Sequence, residues 1–79
     1  MTNSPHMTAD FILERLEIIG GSAHPRESGN ETAERMLAYL VSHKKGNEEE
    51  IKRCLLRWIE EKAEPKLWIA KYLLKKLEL

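Results

Sequence analysis

The sequence predicts an all-α fold, a compact bundle of four amphipathic helices, and three observations lead there. Apolar residues recur at three- and four-residue spacing in four separate segments. Each segment begins or ends at a capping residue, a glycine or a proline. The chain has 79 residues, enough for one small core and too few for two. The expected helices span residues 8–19, 31–45, 48–63 and 65–78. They form a single domain over residues 8–79, arranged as a plain bundle or as two helical hairpins.

The first helix starts at Thr8, a good N-cap, and Ala9, Ile12, Leu13, Leu16 and Ile19 share one side of it. Phe11 and Ile18 lie on another side, two turns apart. Gly20-Gly21 is the expected terminator, since glycine closes a helix in the left-handed conformation without a steric penalty. Residues 20–30 then make a long connector, either mobile or holding one helical turn from Pro25. Asn30 or Thr32 is the expected cap of the second helix, whose stripe is Ala33, Met36, Leu37, Leu40 and Val41. His43, Lys44 and Lys45 suit its negative end before Gly46 closes it.

Asn47-Glu48-Glu49-Glu50 reads as a capping box, with three acids at the positive end of the helix dipole. Ile51, Cys54, Leu55, Trp58 and Ile59 follow as the buried face, widened by Leu56 and Ala63. Pro65 suits the first turn of the fourth helix, where a missing N–H costs nothing. Leu67, Ala70, Leu73, Leu74 and Leu77 form its core stripe. The apolar pattern of the second helix also superposes on the third and fourth, a period that α-solenoid repeats share with any set of amphipathic helices.

Residues 1–7 are expected to be a disordered leader; His6-Met7 resembles the junction left by a common cloning site, so a vector-derived origin and a native one are both open. No apolar run approaches the roughly 18 residues of a membrane span, and no basic segment precedes an apolar one. The expected location is therefore cytoplasmic, with no membrane partner.

Composition bounds the chemistry. Lys plus Arg and Asp plus Glu are both 13, a formal net charge of zero. Strong phosphate binders usually show a basic excess. Cys54 is the only cysteine, so no intrachain disulfide forms. The metal-ligand types His6, His24, His43 and Cys54 include no pair at helical ligand spacing, so no metal and no cofactor are expected. Cys54 sits on an apolar stripe and reads as a small hydrophobe rather than a nucleophile. Ser22, Ser28 and His24 share a loop too loose to align a triad. Gly20-Gly21-Ser22 lacks the Gly-Lys-Ser/Thr ending of a phosphate-cradling loop. The Lys45-Gly46-Asn47 turn suits a helix-turn-helix, but the three glutamates that follow would repel phosphate. No catalytic residue is assigned, and the chain is not expected to be an enzyme.

What stands out is surplus apolar surface. Trp68 and Tyr72 are four apart on the fourth helix, away from its leucine stripe, with Lys71, Lys75 and Lys76 beside them. Phe11 and Ile18 make a second patch on the first helix. The candidate partner-binding residues are Phe11, Ile18, Trp68, Tyr72, Lys75 and Lys76. The expected function is a small non-catalytic protein–protein interaction or regulatory module, with a homodimer the expected assembly. The alternative is a weak single-stranded nucleic-acid binder using the basic-aromatic face of the last helix. A third arrangement makes neither a site: the two patches bury each other inside the monomer.

Overall fold

The computed structural model describes residues 7–22 and 24–79; the expectations for residues 1–6 fall outside this range. Four helices and no strand are found among the described residues: α1 Ala9–Gly21, α2 Gly29–His43, α3 Glu48–Glu61 and α4 Lys66–Leu77. The fold class is as expected. Met7, expected to be part of the leader, belongs to the folded unit: its side chain is buried and its N–H donates to Asn47 Oδ1 at 2.8 Å.

The helices alternate in direction, yet they are not packed in sequence order. α3 packs against α4 and α1, and α2 packs against α4 and α1. Going round the bundle, the order is α1, α3, α4, α2, so the short α2–α3 connection crosses the bundle end. Contacts along the elements fix the directions. The Cys54 thiol donates to the Ala9 carbonyl at 2.7 Å and Arg57 reaches Asp10 at 3.5 Å, so α1 and α3 run parallel. Tyr72 bonds Glu34, and Lys44 Nζ donates to the Leu77 carbonyl at 2.7 Å, so α2 and α4 also run parallel.

Several boundaries differ from the sequence reading, each for a local reason. Gly20 and Gly21 do not end α1; both are helical, and Ser22 closes the helix with its N–H directed to the Ile18 carbonyl at 3.0 Å. Ser28, rather than Asn30 or Thr32, caps α2: its hydroxyl accepts from Glu31 N–H, and Glu31 accepts from Ser28 N–H, a complete capping box. Asn47 precedes α3 but makes no side-chain cap. Its side chain turns inward, donating to the His43 carbonyl at 2.9 Å while accepting from Met7. Pro65 precedes α4 rather than opening it. Gly46 does not close α2, which ends at His43 with Lys44 as its C-cap; its positive φ, 85°, serves the following turn, where Asn47 N–H is directed to the Lys44 carbonyl at 2.9 Å. The 24–27 segment is a turn, with Glu27 N–H directed to the His24 carbonyl at 2.8 Å.

The core joins the predicted stripes: Ile12 and Leu16 from α1, Ala33, Met36 and Leu40 from α2, Ile51, Cys54, Leu55 and Trp58 from α3, and Ala70, Leu73 and Leu77 from α4. Ile69 is buried as well, although it lies off the leucine stripe. Ala63, expected to widen the buried face of α3, is exposed and lies past the end of that helix; of the stripe residues, Val41 is 58% exposed and Leu56 43% exposed. Both sit at the outer edge of a helix that already has two neighbours, so no further helix covers them.

Cys54 is a small buried hydrophobe, as its position on the stripe implies. Burial pushes its thiol up to about 11, against 9.0 for a free thiol. A raised folded pKa means its contribution to stability is present below pH 9.0 and is lost as pH rises towards about 11. Maleimide or iodoacetamide at pH 8 is therefore expected to label Cys54 only after denaturation. Rapid labelling of the native protein would show that the α1–α3 contact opens.

Candidate functional site

The α4 aromatics are built into the α2 side of the fold. Trp68 and Tyr72 are half-buried and meet edge to face at 6.3 Å between ring centroids. A Cβ on Gly29 would lie 3.2 Å from Trp68 Cζ2, so the indole covers the first turn of α2 closely. The Tyr72 hydroxyl donates to Glu34 Oε2, and that bond, more than burial, raises the phenol pKa above its ordinary value. Lys76 Nζ stands 5.7 Å from the Tyr72 ring centroid, while Lys75 and Lys71 are exposed. The face is thus not purely basic: Glu34 holds the tyrosine, and Glu64 Oε1 accepts from Trp68 N–H at 3.1 Å.

Phe11 and Ile18 are placed elsewhere. They are 47% and 48% exposed on the outer side of α1, and α1 packs on α2 and α3. Mutual burial of the two patches is therefore not what the fold does. The α4 aromatics find their cover on α2, while Phe11 and Ile18 keep about half of their surface in solvent. The six candidate residues form two separate groups, Phe11 with Ile18 on α1 and Trp68, Tyr72, Lys75 and Lys76 on α4.

A third feature arises only from the tertiary packing. At the bundle end opposite the α2–α3 turn lies an apolar cavity of about 430 Å³. Leu16, Met36, Trp58 and Ile69 line it from the core, and Gly20, Gly21 and Gly29 leave room on the side where α1 ends and α2 begins. Glu17, Thr32, Pro65 and Lys66 complete the lining. Lys66 Nζ lies 5.5 Å from the Trp58 ring centroid and 3.7 Å from Glu17 Oε2. Among the described residues, Trp58 Nε1 is buried with no hydrogen-bond partner, an uncommon state that costs about 1–3 kcal/mol. Arg35 holds the wall nearby, donating from Nη2 to the Ile19 carbonyl at 2.9 Å and from Nε to Glu27 Oε2 at 3.1 Å. Glu27 also accepts from the Thr32 hydroxyl, and that bond followed by Arg35 keeps its carboxyl below the usual carboxylate range. The available signal was three glycines at the two helix ends that meet here. Without the tertiary arrangement they read as punctuation only.

Among the described residues, no cluster of His, Cys, Asp and Glu is suited to a metal, and no helix is long and apolar enough to cross a membrane. The raised pKa of Cys54 keeps it a neutral thiol, bonded to a backbone carbonyl rather than to a base. No protein-family model, curated protein or solved structure matches the chain.

Proposed function

We propose that this protein is a small non-catalytic interaction module that binds through the outer side of α1, with a second copy of itself as the first partner to test. The observation that carries the reading is the position of Phe11 and Ile18: two large apolar side chains, two turns apart, each about half exposed. Large apolar groups of this kind are favoured at the centres of interfaces. A two-fold axis, the commonest oligomer symmetry, would set the patch against its own copy. The small size of the domain favours association as well, because a core of this size leaves little surplus stability.

Sedimentation velocity across a concentration series tests the proposal. The wild type is expected to shift from monomer towards dimer as concentration rises. Phe11→Asp/Ile18→Asp is expected to remain monomeric with unchanged helicity, since neither side chain belongs to the core. A wild type that stays monomeric at every concentration, or a variant that dimerises equally well, contradicts the reading.

The nucleic-acid reading of α4 has less support. Tyr72 is engaged by Glu34, and Trp68 is half-covered by α2, so neither ring offers a free face flanked only by cations.

A further inference from the structure

We infer that the cavity beside Trp58 is a binding site for a small amphiphile with an apolar body and a carboxylate head. This site is distinct from the Phe11–Ile18 face and does not depend on it. The volume, about 430 Å³, falls within the roughly 300–1,000 Å³ typical of small-molecule sites. Its floor is Leu16, Met36, Trp58 and Ile69, all almost fully buried core residues. That floor selects an apolar body, because water there finds almost no polar partner.

Two observations choose the head group. Lys66 supplies the cation. Its ammonium sits over the indole, and its pairing with Glu17 is long at 3.7 Å and partly exposed, which makes that pairing weak and easily exchanged. Gly29, on the lining, is also the first residue of α2, where the helix dipole favours an anion. The opposing charges are Glu17, whose side chain is 51% exposed, and Glu27, which accepts from the Thr32 hydroxyl on the lining and is paired with Arg35. A cationic head would meet the like charge of Lys66 at the opening.

The glycines make the site possible. A Cβ on Gly20 would press to 3.3 Å on Met36 Cε, whereas one on Gly21 meets nothing within 4 Å. Gly21 is thus the position at which a large side chain can enter the opening without disturbing the core backbone.

The protein has two tryptophans, so Trp68→Phe leaves Trp58 as the sole indole reporter. In that background, octanoate and octylammonium are titrated at concentrations below their micellar range. The inference predicts a saturable change in Trp58 emission with octanoate. Affinity is expected to fall about tenfold in Lys66→Gln, the loss of one charge-assisted contact. Octylammonium, with the same chain and the charge sign of Lys66, is expected to bind at least about tenfold more weakly. Gly21→Phe is expected to abolish the change while its circular dichroism and Tm stay near wild type. If that variant does not fold, Lys66→Gln alone carries the decision, because its side chain is at the surface. No saturable change with octanoate, equal binding of the two chains, or unaltered affinity in Lys66→Gln would each overturn the inference.

Discussion

Trp58→Ala is expected to cost about 3–5 kcal/mol, the largest effect of any single truncation in this fold. Trp58 is the largest fully buried side chain, at 1% exposure, and it stands where α3 meets the cavity floor. A chain of 79 residues holds roughly 4–12 kcal/mol in total, so thermal denaturation is expected to show Tm falling by more than about 12 °C, or no cooperative transition at all. The existing cavity sharpens the expectation, since removing the indole enlarges a space that its neighbours do not fill. Trp58→Phe separates packing from hydrogen bonding. It keeps most of the volume and deletes an unpartnered N–H, so its cost is expected to stay below about 1.5 kcal/mol. A Phe variant as damaged as the Ala variant would mean that the N–H has a partner in solution.

Asn47→Leu is expected to cost about 2–4 kcal/mol, the second largest effect, through polar groups rather than volume. Asn47 is 6% exposed and joins three pieces of chain. It accepts from Met7 N–H, donates to the His43 carbonyl, and places its own N–H on the Lys44 carbonyl at 2.9 Å. Leucine keeps the size and leaves the Met7 N–H and the His43 carbonyl without their partner. Chemical denaturation gives the cost directly, and amide exchange is expected to quicken at Met7 before the rest of the domain opens. A change within about 0.5 kcal/mol would show that water replaces the side chain at this end.

The same residue marks where sequence reasoning stops. Asn47-Glu48-Glu49-Glu50 carries a correct helix start, because acids at the first turn are a local signal, although the expected Asn47 cap does not form. Its role as a tie between Met7 and His43 is tertiary, and nothing in the neighbouring residues encodes it. Ser28 shows the converse. Its capping box with Glu31 was legible, but Asn30 and Thr32 offered competing caps inside a connector whose length hid the true start.

Core positions were read well wherever a stripe had one neighbour on each side, as with Ile51, Leu55, Leu73 and Leu77. They were read less well at stripe edges, where burial depends on which helix lies alongside. Val41 and Leu56 extend apolar stripes and yet remain exposed, while Ile69 lies off its stripe and is buried. The order α1, α3, α4, α2 decides all three, and periodicity carries no information about that order. It also decides the fate of the aromatic pair, since α4 lies beside α2 and its Trp68 and Tyr72 are spent on Gly29 and Glu34. The cavity follows from the same packing, because Gly20, Gly21 and Gly29 converge only when the end of α1 meets the start of α2.

The central claim is that the surplus apolar surface is divided, with the α4 pair used inside the fold and Phe11 and Ile18 on α1 left for a partner. Methyl-labelled isoleucine NMR tests it most directly, because Ile18 lies on the proposed face while Ile12, Ile51 and Ile69 are buried within the core. As protein concentration rises, the Ile18 methyl is expected to shift and broaden while the methyls of Ile12, Ile51 and Ile69 stay in place. An Ile18 methyl that does not move, with perturbation instead centred on Trp68 and Tyr72, would contradict the account.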